Sequence, residues 1–328
     1  MKRVTMWLLF EFLLLVVCLI RVVPARAAEE KPLATPSAAA PAPVAVVPAP
    51  AVEGKPVATP PQGFDLRRQD IQRGNVETVE YDSKSVGAKR NMVIYTPPGY
   101  TKDAKYPVLY LFHGAGGNET NWTRQGSAGT ILDNLYADKK VVAMIVVMPN
   151  GSVQPSGAAT QPGEKAQPGE KAQPGAKGQP GAKGGRGGFG NFNLFRDDLL
   201  KDIIPYVESH YSVKPGPENR AIAGLSMGGM QTRQIGMANL DKFSYLGIFS
   251  GGSIAPATIS DKDAFKQKVK VLFVSYGSRE NTTAAKANHD ALEQAGIKNT
   301  YYESPDSAHD FTSWKRSLYY FAPLIFQN

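Results

Sequence analysis

From residue 62 onward the chain carries two hydrophobic rhythms. Residues 76–82 and 90–96 alternate apolar and polar side chains on either side of Gly87, the period of an antiparallel pair, and Pro97-Pro98-Gly99 closes it. Residues 108–112 and 141–148 are instead short, nearly continuous apolar runs, as expected of strands covered on both faces of a parallel sheet. Similar runs recur at 221–223, 245–249 and 269–276, and a last strand is expected at 299–303. Helical stretches fall between them near 130–138, 197–209, 227–238 and 283–295, with a closing helix from about Trp314. Strand and helix alternating in this order predict an α/β fold, a three-layer sandwich with a mostly parallel central sheet.

Three segments break these rhythms. Residues 1–27 open with Lys2 and Arg3, run apolar from Met6 to Ile20 apart from Glu11, and end on Ala25-Arg26-Ala27, which reads as an export signal with a small-x-small cleavage site. The apolar run is short for a bilayer span of roughly 20 residues, so stable membrane insertion of the mature chain is not expected, although an uncleaved anchor stays open. Residues 28–61 alternate Ala, Pro, Val and Thr, a composition that cannot bury a core and suits a semi-rigid spacer or a leader without specific function. Residues 152–188 form a low-complexity Gly/Pro/Lys insert in which Gln161-Pro-Gly-Glu-Lys-Ala repeats at Gln167, and glycine recurs at every third position from Gly175 to Gly190. That tract is too short for a collagen triple helix. It leaves the expected sheet at a carboxyl edge, where ligands bind in open α/β sheets, either as a lid over the site or as a tolerated insertion.

These segments also account for the bulk composition. The chain has 328 residues and a formal charge of +8. The leader and the insert each carry +3 and the spacer −1, which leaves about +3 on the expected domain, residues 62–328 without the insert. A nucleic-acid partner therefore loses its electrostatic basis. The single cysteine, Cys18, lies in the leader. Cleavage after Ala27 would remove disulfides, thiolate nucleophiles and Cys-ligated metals together. Four scattered histidines add no zinc-ligand spacing, so neither metal nor cofactor is expected.

The chemistry centres on Gly224-Leu-Ser-Met-Gly-Gly229, between a short strand and a helix. A serine in such a turn occupies a strained bend that needs glycine two residues before and two after it, and the helix start sets amides beside its hydroxyl. Ser226 is thus the candidate nucleophile. It needs a base and an orienting acid, which follow it in the order acid, then histidine. His309 lies after the last expected strand and is the candidate base. His113 precedes the nucleophile and is expected to brace the adjacent loop, while His210 and His289 fall on polar helix positions. Glu280, just beyond the 269–276 strand, is the candidate acid, with Asp306 as rival; Asp310 sits too close to His309. The glycine-rich loop His113-Gly-Ala-Gly-Gly117 and the helix start propose the amides of Ala115 and Met227 as oxyanion donors. Trp122 either lines a sugar or aryl site or anchors that loop.

At these residues the chain resembles a known family. Tyr95-Thr-Pro-Pro-Gly-Tyr100, Tyr106 to Gly114, Ala143 to Asn150, Arg220 to Gly229 and His309-Asp-Phe311 with Trp314 resemble the feruloyl esterase domain of bacterial xylanase Z. That domain belongs to carbohydrate esterase family 1, esterase D-like enzymes of the α/β-hydrolase fold. The resemblance spans about 81–326, interrupted by the insert. It implies a secreted or periplasmic serine esterase acting through an acyl-enzyme, with Ser226 and His309 as nucleophile and base and Ala115 and Met227 as oxyanion donors. Its substrate would be a polysaccharide-linked or small-molecule ester, feruloyl or acetyl groups on xylan being the leading case. The family typically has aspartate where this chain has Glu280. Siderophore esterase, thioesterase and acyltransferase chemistry on the same scaffold remain open, as do a non-enzymatic surface binder and a tethered structural protein. Oligomeric state is not legible.

Overall fold

A computed structural model of the chain describes residues 59–153 and 191–327. The expected leader, all but the end of the spacer and nearly all of the insert lie outside the described residues.

The alternating segments form β1 (Asn75–Ser83) and β2 (Ala88–Thr96), an antiparallel pair with Tyr81 opposite Arg90. The apolar run at β3 (Val108–Phe112) follows, then α1 (Asn121–Arg124), α2 (Ala128–Ala137) and β4 (Ile145–Pro149). After the insert, α3 (Phe192–Asp198) continues through a π-helical turn, Leu199–Ile203, into α4 (Ile204–His210). The remaining chain alternates β5 (Arg220–Leu225), α5 (Met227–Ala238), β6 (Tyr245–Phe249), α6 (Lys262–Lys268), β7 (Val271–Gly277), α7 (Thr283–Gln294), β8 (Thr300–Ser304) and α8 (Phe311–Phe321).

The eight strands form one sheet in the order β1-β2-β4-β3-β5-β6-β7-β8. β2 pairs antiparallel with β1 and β4, and every other neighbour is parallel. Side chains of α3 to α7, among them Phe195, Val207, Ile235, Phe265 and Leu292, pack into one core. Trp122, Ile131, Leu135, Trp314, Leu318 and Phe321 belong to a second core that holds α1, α2 and α8. Apart from the continuous stretch 192–210, the α-helices are 4 to 12 residues long, too short to be more than marginally stable in isolation in water, so burial holds them. Each fully buried side chain of this size supplies roughly 1.5–3 kcal/mol. This is the α/β-hydrolase arrangement.

Three local expectations need correction. The apolar run 141–148 pairs only from Ile145, whose amide donates to Pro107 O (3.0 Å), because the residues before it are still turning out of α2 through Lys139 at φ 56°. Val141 and Met144 are buried by packing alone. The helix expected at 197–209 starts earlier, where the Asn191 side chain caps the amide of Leu194 (3.1 Å). The short α6 carries no amphipathic signal in the sequence, because Phe265 is the one residue it buries.

The chain passes from β3 to β4 on one side and then returns to lay β5 on the other side of β3. Such a switch point opens a crevice beyond the carboxyl ends of the two strands, and ligands bind there. The segments leaving β3 and β5 into this crevice are the glycine-rich loop and the Ser226 turn. Val153 and Asn191, which flank most of the low-complexity tract, are joined beside it, Asn191 N–H donating to Val153 O (2.9 Å).

Candidate active site

Ser226 joins β5 to α5 with φ 53° and ψ −114°, a conformation costly for a residue with a side chain. Its amide donates to Phe249 O (2.8 Å) and its carbonyl accepts the first α5 bond, from Met230 N–H (3.0 Å), which together hold the bend. The flanking glycines are required by contact. A Cβ on Gly224 would stand 2.5 Å from the Gly228 carbonyl carbon, and one on Gly228 would stand 2.6 Å from His113 O.

The bend carries Ser226 Oγ to 2.8 Å from His309 Nε2. His309 Nδ1 lies 2.7 Å from Glu280 Oε2. Glu280 Oε1 accepts from Gly277 N–H (2.8 Å) and Ser250 Oγ–H (2.7 Å). Ser250 in turn accepts from the indole of Trp314 (3.1 Å), whose ring stands edge-on to His309 at 5.0 Å. With Glu280 ionised, its only available proton partner at Nδ1 is N–H, which leaves Nε2 free to accept from Ser226. Burial raises the Glu280 pKa, but hydrogen bonds from His309, Gly277 and Ser250 outweigh it and hold the carboxyl below its ordinary range. Glu280 and Asp306 are thereby separated: Glu280 contacts the imidazole, whereas Asp306 is exposed at φ 51°. Asp310 caps α8 through the amides of Thr312 (2.9 Å) and Ser313 (3.2 Å).

The loop after β3 lies directly against the serine. A Cβ on Gly114 would be 3.4 Å from Ser226 Cβ. The Gly114 carbonyl accepts from Gly117 N–H (3.1 Å) and from His113 Nδ1–H (2.7 Å). His113 is 1% exposed, and burial holds its pKa below the ordinary histidine value, which keeps it neutral. Its Nε2 accepts from Gly151 N–H (2.9 Å), which assigns the proton to Nδ1. On the α5 side, the Met227 amide is the first of the donors that a helix start leaves unpaired. The serine, histidine and carboxylate are therefore in continuous contact, with the Gly114 loop against the serine.

Of the two readings of Trp122, the contacts are those of an anchor for the loop: it is 1% exposed, its indole N–H donates to Phe112 O (2.9 Å), and its ring packs edge-on to Phe249 and Phe311. His210 stacks on Tyr206, and His289 bonds Asn299. Neither joins the Ser226–His309–Glu280 chain of contacts. Sequence reasoning missed Ser250, for which the sole signal is its place directly after β6.

A sequence profile of the esterase family matches residues 83–321. An endo-1,4-β-xylanase/feruloyl esterase of Xylanibacter ruminicola is 36% identical over 273 residues, 81% of this chain and 33% of that protein. The chain thus spans about a third of that relative's length. Among solved structures, a ferulic acid esterase from Anaeromyces mucronatus in complex with ferulic acid superposes with a TM-score of 0.65 at 24% identity, covering 83% of this chain and 98% of that one. The feruloyl esterase module from Clostridium thermocellum complexed with sinapinate gives 0.61 at 18% identity, covering 83% and 94%. At these identities the structural likeness speaks for the fold.

Proposed function

The chain belongs to the esterase family, a family of carboxylic ester hydrolases, and from that premise we propose that it is a serine esterase releasing feruloyl or acetyl groups from plant cell-wall polysaccharide. The observation that carries this reading is the continuous contact from Ser226 Oγ through His309 to Glu280, set against the loop at Gly114. Ser226 Oγ attacks the ester carbonyl as His309 Nε2 takes its proton. The charge developing on the carbonyl oxygen is met by the amides of Ala115 and Met227. The imidazolium then returns the proton to the departing alkoxide, so the alcohol leaves and an acyl-serine remains. Water repeats the sequence: His309 takes its proton, hydroxide adds to the acyl carbon, and the acid departs as Ser226 recovers its hydrogen. Glu280 holds the tautomer and stabilises the imidazolium throughout.

The polysaccharide reading is supported by the xylanase/feruloyl esterase relative and the ferulic acid esterase fold. Export through the 1–27 leader, followed by the 28–61 spacer, would put such an enzyme where that substrate is; among the described residues no helix is long and apolar enough to cross a membrane. The test compares p-nitrophenyl acetate, methyl ferulate and acetylated xylan for the intact enzyme and for Ser226→Ala. The variant should lose on the order of 10⁴ to 10⁶ in turnover. Full activity in the variant would sink the mechanism, and turnover of the acetate without either cell-wall ester would sink the substrate assignment.

A further inference from the structure

We infer that Arg90, on the antiparallel strand β2, is a positioning residue that polarises the oxyanion amide of Ala115 through a one-way chain of hydrogen bonds. The inference rests on the esterase reading above and extends it to residues that touch no substrate.

The chain begins at a buried ion pair. Asp198 is fully buried; it holds Arg90 Nε at 3.1 Å and accepts from Tyr81 O–H (2.8 Å). Arg90 Nη2 is thereby aimed at the Asn150 carbonyl, to which it donates. That carbonyl and the Gly151 N–H belong to one peptide unit, which is planar and trans, so they point in opposite directions. Gly151 N–H donates to His113 Nε2 (2.9 Å). His113 Nδ1–H then donates to the Gly114 carbonyl (2.7 Å). The Gly114 carbonyl shares its peptide plane with the Ala115 N–H, which is turned to the opposite side. Asn150 Oδ1 lies 3.2 Å from His113 Nε2 but is no proton acceptor from it, because Nε2 already receives Gly151 N–H; Oδ1 accepts from Ser152 N–H (3.0 Å) instead.

Every donor in this series points the same way, from a guanidinium cation through two peptide units and one neutral imidazole to the proposed oxyanion donor. Hydrogen bonds linked in this sense polarise one another, by perhaps 10–30% per bond. The chain also fixes direction: with the Gly114 carbonyl held by His113 and Gly117, the Gly114–Ala115 peptide cannot flip without breaking both bonds. An oxyanion donor gains most from being fixed before charge develops. Its effect therefore belongs in the transition state and not in substrate binding.

The test is Arg90→Met combined with Asp198→Asn, which removes the cation without leaving a buried unpaired carboxylate, with Arg90→Gln in the same Asp198→Asn background as a milder variant that keeps a neutral donor. For the double variant kcat should fall roughly tenfold with KM unchanged, less than the ~10²–10³ lost with a whole oxyanion donor. Affinity for phenylboronic acid, which forms a tetrahedral adduct on Ser226, should fall by the same factor, while a non-reactive amide analogue binds as before. Arg90→Gln should lie between the two. The proton resonance of His113 Nδ1–H should move upfield in both variants, a readout independent of turnover. An unmoved resonance, or a variant with wild-type kcat and boronate affinity, overturns the inference; so does a loss confined to KM. Failure of the esterase reading would show instead as activity surviving Ser226→Ala, so the two failures are distinct.

Discussion

Replacing Glu280 by Gln tests the acid more sharply than deleting it, because the two carboxylate oxygens have different partners. Oε1 accepts two hydrogen bonds, from Gly277 N–H (2.8 Å) and Ser250 Oγ–H (2.7 Å), while Oε2 faces His309 Nδ1 at 2.7 Å. A glutamine in this site places its carbonyl oxygen where the two donors are and its NH₂ toward the imidazole. His309 must then accept at Nδ1 and carry its proton on Nε2, facing Ser226, where it can no longer act as base. Loss of tautomer control in a serine triad costs about 10⁴ in kcat, or ~5.4 kcal/mol of transition-state stabilisation. Glu280→Gln should therefore lower kcat for p-nitrophenyl acetate by about four orders of magnitude with little change in KM, whereas Asp306→Asn should be kinetically silent. Stability supplies a second reading. Because the folded-state pKa of Glu280 is depressed, its ionised form contributes stability that is fully present above the ordinary carboxylate pKa and is lost as pH falls through the lower folded value. The urea midpoint of Glu280→Gln should thus vary less with pH across the acid limb than that of the parent. A Glu280→Gln enzyme within tenfold of wild type, or one rescued only when Asp306 is intact, would refute the assignment.

Other consequences can be measured directly. Gly228→Ala places a Cβ 2.6 Å from His113 O and 2.7 Å from Phe112 Cβ, so backbone must move; a loss of roughly 1–3 kcal/mol in urea unfolding, together with a fall in kcat, is expected, and a wild-type midpoint would contradict it. Trp122→Phe removes the donor to the buried Phe112 carbonyl at a cost of about 1–3 kcal/mol, yet should leave the ratio of kcat/KM for methyl ferulate and p-nitrophenyl acetate unchanged; a shifted ratio would return Trp122 to the substrate site. Excising residues 154–190 and joining Val153 to Asn191 through two or three glycines exploits ends already bonded at 2.9 Å. Turnover of small esters should be preserved, and its loss would assign the insert a part in catalysis.

How much of this could be read from the sequence depends on the distance over which each feature is specified. The Ser226 turn was legible because its constraints are local: two glycines within two residues of the serine answer contacts that the bend itself creates. The parallel strands were legible because burial on both faces leaves an unbroken apolar run, yet the same signal overextended β4, since Val141 and Met144 are buried without pairing. Glu280 followed from the topological position after β7, but the choice against Asp306 needed the structure, because both lie on loops near His309 and hydropathy does not order a loop. Trp122 shows a related limit: in a four-residue helix no periodicity states which way an indole points, so a wall and an anchor look alike. The Arg90 to Ala115 connection lies beyond any such reading. Arg90, Asp198 and Asn150 come together across separations of 60 and 108 residues, from a strand pair, a helix and the root of an insert, with no shared motif. Each looks in isolation like an ordinary polar residue beside an apolar run, and its role exists only once the sheet has brought β2 alongside β4 and β4 alongside β3. The chemistry-bearing groups of an α/β sandwich are therefore legible where a turn makes them, and the groups that aim them are legible only where strand order does.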